Sequence, residues 1–241
     1  MEEEQIVDGN STGVGSPDSG AQPARAARRT RRAEISFAIL LAIYAVLAVL
    51  AHYFAYFSWD LQAERAIQSI KLPGFETLMF LISALGSGWE PFGLVLMAGL
   101  ALFLVRKRVE ALVCMVGAAA GSGVDTLLKE ISGRPRPSED LVHVLKHYNR
   151  ESFPSGHVFF YVEFFGFLFF LAYVLLKRGP LRSGVLVILG ILISVVGISR
   201  VYLGAHWPSD VVGAYLAGGI WLMLMIEVYR RIQAKSQNGE A

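Results

Sequence analysis

Long apolar stretches separated by short polar segments dominate the chain. A helix needs about 20 mostly apolar residues to cross a bilayer. Six stretches reach or approach that length, and we interpret them as transmembrane helices over residues 35–57, 91–105, 111–128, 157–176, 183–198 and 211–226. The second reaches span length only if it starts near Ser87 and includes Glu90. The pattern predicts an all-α fold, a bundle of six transmembrane helices.

A seventh apolar stretch, residues 78–85, is too short to cross, so we expect a short re-entrant or interfacial helix before the second span. Lys and Arg are enriched on the cytoplasmic side of membrane proteins. Basic clusters precede the first predicted span and follow the second, fourth and sixth. All of them are cytoplasmic if there are six spans and both termini are cytoplasmic. We therefore expect a multi-pass protein of the cell (inner) membrane.

The first part of the chain has a different pattern. Residues 1–20 are rich in Gly, Ser, Glu and Asp, and arginines cluster at 25–32. We expect a disordered cytoplasmic tail over residues 1–33, a six-span domain over 34–232 and a cytoplasmic C-terminal tail over 233–241. A cleavable signal is the less favoured alternative, because the first apolar run is longer than that of a signal peptide.

Composition excludes several classes of protein. Hydrophobic residues make up 54% of the 241 residues and charged residues only 17%, against about 25% charged in typical soluble domains. A net charge of +2, with no basic tract beyond the N-terminal arm, argues against nucleic-acid binding. The single cysteine, Cys114, excludes an internal disulfide and a cysteine-based metal cluster. An integral membrane protein remains, and its oligomeric state is not specified.

Unusual polar residues collect at four helix ends on the outer side of this topology. His206 and Asp210 lie four residues apart at the start of the sixth span, where the helix dipole favours a carboxylate. An Asp paired with one imidazole nitrogen fixes the tautomer and leaves the other nitrogen free as a nucleophile or base. The pair taken alone also fits an ordinary N-terminal carboxylate beside an interfacial histidine.

The fourth predicted span opens with Ser155, Gly156 and His157. Ser155 is a good N-cap, and the backbone N–H groups that follow it would form an anion site at a helix N-terminus. Gly156 would let a ligand approach the backbone closely, and His157 would stand beside it as a general acid. An ordinary loop-to-helix turn explains the tetrapeptide equally well when it is considered alone.

Three cations complete the set, namely Lys129, Arg136 and Arg200. Each alone fits a structural role or a contact with a lipid headgroup. Arginine can also bind phosphate oxygens bidentately. Three cations, one helix N-terminus and two histidines on one membrane face predict a phosphate site with acid–base groups.

The spacing of these residues is similar to a known three-part signature. Lys129-(x)6-Arg136-Pro137, then Pro154-Ser155-Gly156-His157, then Ser199-Arg200-(x)5-His206-(x)3-Asp210 resembles the type-2 phosphatidic acid phosphatase superfamily. The motifs span residues 129–210, and the six-span layout extends the resemblance to roughly residues 35–232.

The resemblance implies an integral membrane phosphatase that acts through a phosphohistidine intermediate. His206 would attack phosphorus, Asp210 would orient it, and His157 would protonate the leaving oxygen and then activate water. The phosphate oxygens would be bound by Lys129, Arg136, Ser155, Gly156 and Arg200. No metal and no other cofactor is implied.

The implied substrate is a lipid phosphate or diphosphate that reaches the site from the outer leaflet. Undecaprenyl diphosphate, phosphatidylglycerophosphate and phosphatidate are all open, and so is the length of the lipid chain. One alternative is a vanadate-dependent haloperoxidase, although enzymes of that kind are soluble. The other is a non-catalytic transporter or scaffold that binds lipid headgroups.

Two acidic residues interrupt the apolar runs. Asp125 lies one turn before Lys129, and we interpret it as the ion-pair partner of that lysine. Glu163 either lines the wall of the site or bonds a neighbouring helix. Arg134 and Arg150, in the polar loop between the third and fourth spans, either contact a lipid headgroup or are solvated, and we favour the solvated interpretation.

Overall fold

The computed structural model describes residues 21–239, and every regular element within them is helical. The predicted all-α class is therefore confirmed. In chain order the helices are α1 (Ala21–Tyr53), α2 (Ser58–Gln68), α3 (Phe75–Ala84), α4 (Glu90–Leu104), α5 (Arg108–Ser132), α6 (Gly156–Leu175), α7 (Pro180–Tyr202) and α8 (Pro208–Gly239).

Five helices are long and apolar enough to cross a membrane, namely α1 over Glu34–Tyr53, α5, α6, α7 and α8 over Pro208–Ser236. The second predicted span corresponds to α4, which is apolar but has only 15 residues. It ends at Leu104 because the chain turns sharply there, with Arg106 in a left-handed conformation at φ 62°. The apolar stretch before it forms α3, with 10 residues. A six-span topology stays a prediction.

Two boundaries predicted near the N-terminus differ from those in the structure. The first span ends at Tyr53 rather than residue 57, because Phe57 instead precedes α2 and donates its backbone N–H to Asp60 Oδ2 at 3.0 Å. The tail predicted to be disordered over residues 1–33 is helical from Ala21 onward. Its run of alanines and arginines consists of good helix formers that continue directly into the apolar helix. Residues 1–20 lie outside the described part of the chain.

The described part of the chain divides into two units between Ile39 and Leu40. The core of the second unit is built largely on the aromatic side chains of α6, including Phe159, Phe164 and Phe167, which are almost fully buried. This helix contacts α5, α7 and α8. One π-helical turn, Tyr161–Phe165, interrupts its α-helical hydrogen bonding.

The polar connection between α5 and α6, residues 133–155, is fastened to the turn between α7 and α8 by backbone hydrogen bonds. Leu145 N–H donates to the Leu203 carbonyl at 3.0 Å. Ser155 N–H, at the start of α6, donates to the Asp210 carbonyl at 3.2 Å. These bonds bring the C-terminal ends of α5 and α7 together with the N-terminal ends of α6 and α8.

Candidate active site

His206 lies in the turn before α8 with only 2% of its surface exposed. Its Nδ1 is 2.8 Å from the backbone carbonyl oxygen of Ser152. A carbonyl oxygen only accepts hydrogen bonds, so Nδ1 must carry the proton. Its Nε2 is 3.1 Å from Arg136 Nη1, which only donates. Both contacts select the same tautomer, with the lone pair on Nε2.

Burial lowers the pKa of His206 well below its usual 6.5, and the positive charges of Arg136, Arg200 and Lys129 lower it further. The imidazole is therefore uncharged at neutral pH. An uncharged ring with a free Nε2 lone pair is the state in which histidine acts as a nucleophile.

Asp210 does not form the direct hydrogen bond to His206 that its spacing predicts. Its Oδ2 is 3.7 Å from His206 Nδ1, longer than a hydrogen bond of about 3.2 Å. The carboxylate instead accepts from the Trp207 backbone N–H at 2.9 Å and from Ser152 Oγ at 2.5 Å. A carboxylate in the first helical turn is placed to reach back to the backbone that precedes the helix. Ser152, not Asp210, therefore holds the imidazole.

His157 lies in the first turn of α6, close to the segment between α3 and α4. Its Nε2 is 3.0 Å from Ser87 Oγ, a hydroxyl that also accepts from Lys146 Nζ at 3.3 Å. Gly86 leaves room for the ring, because a Cβ at that position would lie 2.8 Å from His157 Cδ2. Sequence reasoning missed Ser87 and Lys146, which lie in no recognisable motif.

Arg136 hydrogen-bonds the backbone of the connection between α5 and α6 and the backbone of the turn between α7 and α8. It donates to the Arg150 carbonyl at 2.5 Å, to the Ala205 carbonyl at 2.6 Å and to the Glu151 carbonyl at 3.1 Å. Burial, together with the charge of Arg200, lowers the pKa of Arg136 to about 10, which still leaves the guanidinium charged at neutral pH. The structure thus places a fixed cation against the free nitrogen of His206.

Arg200 and Ser155 carry buried polar atoms that lack partners among the described residues. Arg200 is fully buried and donates from Nη1 to Ser83 Oγ, but its Nε and Nη2 have no hydrogen-bond acceptor there. The Ser155 hydroxyl is also fully buried and lacks a partner. Each such group costs about 1–3 kcal/mol when it stays unpaired. An anion with several oxygens would satisfy them.

Lys129 and Gly156 lie next to each other at the meeting point of α5 and α6. The Lys129 ammonium donates to the Pro154 carbonyl and is 3.5 Å from Asp125 Oδ1, as expected from the predicted pairing. A Cβ on Gly156 would lie 2.7 Å from Asp125 Oδ2, so a larger residue would collide with the carboxylate. Glycine is therefore required at position 156 by close packing.

Tyr148 joins the cations at the outer side of the site, and no sequence signal pointed to it. Its ring lies 4.9 Å from the guanidinium carbons of both Arg136 and Arg200, and its edge meets His157 at 5.9 Å between ring centroids. Burial alone would raise the pKa of Tyr148, but Arg200 and Lys146 outweigh burial and the pKa is lowered.

The structure places Arg134 in a different environment from the solvated one that we predicted. It is only 1% exposed rather than solvated, and its guanidinium contacts Asp210 at 2.6 Å, Ser209 at 2.7 Å and Asp60 at 3.1 Å. Its burial could not be read from a proline-rich loop. Within the described residues, no group of three or more His, Cys, Asp or Glu side chains is arranged to hold a metal ion.

A cavity of about 880 Å³ opens beside this site and is bounded by α4, α5 and α6. Asp125, Gly156 and His157 line one end, and mostly apolar side chains as far as Met115 line the rest. Glu163 lies in the wall of this cavity, which is the first of the two locations that the sequence predicted for it. The ten residues from Met115 to Asp125 correspond to about 15 Å along α5, enough for part of a lipid chain.

The family of the chain follows from this fold and site. The PAP2 superfamily matches residues 107–234, and the chain belongs to it. The chain is 31% identical over 172 residues to phosphatidylglycerophosphatase B of Bacillus subtilis (strain 168), covering 70% of this chain and 82% of that protein. It is 38% identical over 98 residues to a protein of Escherichia coli (strain K12) that is named as an undecaprenyl-diphosphatase, YbjG, covering 37% of this chain and 45% of that protein.

Two solved structures have similar folds. A crystal structure of a transmembrane PAP2-type phosphatidylglycerolphosphate phosphatase from Bacillus subtilis matches with a TM-score of 0.72 and 28% identity, covering 81% of this chain and 96% of that one. Aquifex aeolicus LpxE matches with a TM-score of 0.55 and 24% identity, covering 71% and 96%, and supports the fold alone. The predicted family and the predicted enzyme class, a phosphatase, are confirmed.

Proposed function

We propose that this protein is an integral membrane enzyme that removes phosphate from a lipid through a phosphohistidine on His206. One observation carries the proposal. The neutral Nε2 of His206 lies beside the Arg136 cation, in a site where Arg200 and Ser155 hold buried donors without acceptors. A tetrahedral phosphate supplies several acceptor oxygens and an electrophilic phosphorus at once.

In the first step, the Nε2 lone pair of His206 attacks phosphorus while the bond between phosphorus and the lipid oxygen breaks. His157 gives a proton to the departing oxygen, so the lipid leaves as an alcohol or as a shorter phosphate. Arg136, Arg200 and Lys129 bind the non-bridging oxygens, whose negative charge is rearranged during transfer. The Nδ1 proton stays on the ring and is held by the Ser152 carbonyl.

In the second step, water attacks the phosphohistidine and the bond between Nε2 and phosphorus breaks. His157, which lost its proton in the first step, accepts a proton from that water. Inorganic phosphate is released, and His206 returns to the neutral tautomer that the Ser152 and Arg136 contacts select.

Phosphatidylglycerophosphate is the substrate that we propose to test first, because the relative with that name matches over 82% of its length. Undecaprenyl diphosphate is the second candidate, since the similarity to the named undecaprenyl-diphosphatase covers 45% of that protein. Both substrates carry a phosphate on a long hydrocarbon chain, and the apolar cavity beside His157 offers space for such a chain.

We further propose that α4 also crosses the membrane, which gives six transmembrane helices in total, and that both termini are cytoplasmic. The 15 residues of α4 correspond to about 22 Å, which a locally thinned bilayer accommodates. With that count, the basic segments that follow α4 and α6 and the basic residues near the C-terminal end of α8 all lie in the cytoplasm. The active site then faces the periplasm or the exterior, and the substrate comes from the outer leaflet.

The test is phosphate release from a panel of lipid monophosphates and diphosphates by the purified protein in detergent. We expect release from at least one lipid, inhibition by vanadate and complete loss of release in His206→Ala. His147→Ala is the matched control, because that histidine is exposed and bonds only Glu139 within the described structure. Full activity of His206→Ala would contradict the nucleophile assignment. Lipid transfer without phosphate release, or halide oxidation with bound vanadate, would favour the other two classes.

A further inference from the structure

An ion cluster that no signature motif includes lies behind the nucleophile. Asp60 of α2 is fully buried, and its Oδ2 is 3.1 Å from Nη2 of the buried Arg134. Asp60 also accepts from the backbone N–H and the hydroxyl of Ser209, at 2.8 and 2.7 Å. Nη1 of the same arginine contacts Asp210 Oδ1 at 2.6 Å. One guanidinium thus bridges two buried carboxylates.

The cluster is connected to His206 through Ser152. Asp210 Oδ2 accepts from the Ser152 hydroxyl at 2.5 Å, and the Ser152 carbonyl accepts from His206 Nδ1 at 2.8 Å. The backbone of Ser152 is held as well, because its N–H donates to the Arg134 carbonyl at 2.8 Å. Arg134 therefore fixes Ser152 from two sides, through its carbonyl oxygen and through Asp210.

The charges of the cluster suit the reaction. Burial raises the pKa of Glu64, one turn after Asp60, to about 9, so this carboxyl is neutral at neutral pH. Two carboxylates and one guanidinium remain, with a net charge of −1. When phosphorus bonds to Nε2 while Nδ1 keeps its proton, the imidazole becomes positively charged. A rigid negative cluster 3.7 Å from Nδ1 stabilises that charge.

We propose that Asp60 and Arg134 are positioning residues for phosphoryl transfer: together they orient Asp210 and Ser152 and thereby fix His206 for attack. The inference rests on the proposed function, since it requires His206 to be the nucleophile. The proposal gives α2, a helix that lies outside the three-part signature, a role in the active site. Within the described residues, neither side chain hydrogen-bonds a group that we propose to bind phosphate, so we expect their effect to be on the chemical step rather than on binding.

The experiment compares Arg134→Met and Asp60→Asn with Arg65→Met in the full-length protein in detergent. Arg65 is the matched control, because it lies on the same α2 and is exposed, and among the described residues its side chain donates only to the Leu141 carbonyl. Three quantities are measured for each protein: kcat, the inhibition constant of inorganic phosphate and the rate at which labelled phosphoenzyme forms after mixing with substrate. The melting temperature shows whether each variant is folded.

We expect kcat and the rate of phosphoenzyme formation to fall on the order of 100-fold in Arg134→Met, comparable to losing one preorganised electrostatic contact. Asp60→Asn keeps the shape of the side chain and should lose about 10-fold, because Arg134 keeps its bond to Asp210. The inhibition constant of phosphate should stay within about 3-fold in both variants, because the phosphate-binding groups are untouched. Arg65→Met should match the parent.

Two results separate failure of this inference from failure of the proposed function. If the parent protein forms no phosphoenzyme, the proposed function is wrong. If the parent forms it and both variants form it at the parental rate, only the positioning role is wrong. A loss of phosphate binding in parallel with kcat in both variants would show that the two residues only maintain the fold of the site and would also overturn the inference. Should Arg134→Met fail to fold, Asp60→Asn decides.

Discussion

The two sides of the active site differ in how completely their polar atoms are paired. On the side of the proposed nucleophile, Arg134 donates to Asp210, the Ser152 hydroxyl donates to Asp210, and the Ser152 carbonyl accepts from His206. On the phosphate side, Arg200 and Ser155 are equally buried but keep donors without acceptors in the described structure. Folding pairs the polar atoms of Asp210 and Arg134, whereas Arg200 and Ser155 keep donors that a bound anion could satisfy.

This difference shows how the two sides contribute to stability. Removing one partner from a buried network leaves the other groups unpaired, which costs several kcal/mol. Removing a group that is already unpaired costs little and can even stabilise the fold. Variants on the nucleophile side should therefore lose both stability and activity, whereas variants on the phosphate side should lose activity alone.

The largest combined effect is expected for Asp210→Asn. The new amide would direct N–H groups at donors that now bind the carboxylate, including Arg134 and the Trp207 N–H. Stability should fall by about 3–5 kcal/mol, and kcat on the order of 1,000-fold or more. Denaturation and phosphate-release assays measure the two losses. Glu227→Gln is the control on the same helix, because that residue has an exposed ion pair with Arg231; a parental melting temperature in Asp210→Asn would contradict the comparison.

Arg200→Met is the corresponding change on the phosphate side. We expect kcat/KM to fall on the order of 100- to 1,000-fold, because a preorganised donor to the phosphate is lost. The melting temperature should stay the same or rise, since a buried cation with unpaired donors is replaced by an apolar side chain. Arg182→Met, at the other end of α7 where the guanidinium stacks on Tyr173 at 4.3 Å, is the control. An Arg200→Met protein that melts at a lower temperature than the parent would contradict the proposed difference in stability between the two sides.

A smaller effect is expected for Ser155→Ala, which removes one unpaired hydroxyl. Loss of one neutral donor should reduce kcat/KM by about 10-fold, with an unchanged melting temperature. Ser194→Ala is the control, because that exposed hydroxyl donates only to the Gly190 carbonyl. If Ser155→Ala lost stability instead, its hydroxyl would have a structural partner and would not belong to the unsatisfied side.

The smallest expected effect is a displacement of the pH profile. Burial and the Arg136 charge lower the pKa of His206 below 6.5, so the imidazole stays neutral as the pH falls through that value. The acid limb of kcat/KM should therefore lie well below pH 6.5 in the parent. In Arg136→Met the loss of a nearby cation should move this limb to higher pH. An acid limb at the same pH in both proteins would mean that the two sides are not electrostatically coupled through Arg136.

The sequence predicted the groups that lie in its motifs better than the contacts between them. The structure places Arg136 3.1 Å from His206 and bonds the Ser155 N–H to the Asp210 carbonyl, because each motif lies at the end of a long helix whose position the apolar pattern indicates. The sequence could not predict that Ser152 holds the imidazole, since Ser152 and His206 are 54 residues apart and meet only after the loops fold together. For the same reason it placed Arg134 in solvent.

The fold was predictable where apolar runs were long and poorly predictable where they were short. The helices α5, α7 and α8 contain the predicted spans and extend beyond both of their ends, and α6 matches its predicted span to within one residue at each end. The boundary of α4 depends on a turn at Arg106, and the end of α1 depends on Asp60 accepting the Phe57 N–H. Local hydrogen bonds of this kind cannot be predicted from the hydropathy pattern.

The central claim, that His206 Nε2 forms a bond to phosphorus, is tested most directly by trapping the intermediate. The protein is mixed with a lipid phosphate labelled in the phosphate, quenched in denaturant within the first turnover, digested and mapped by mass spectrometry. We expect one labelled peptide, with phosphate on His206, present in the parent and absent from His206→Ala. A parent protein that turns over substrate without any labelled histidine, or a label on His157 instead, would contradict it.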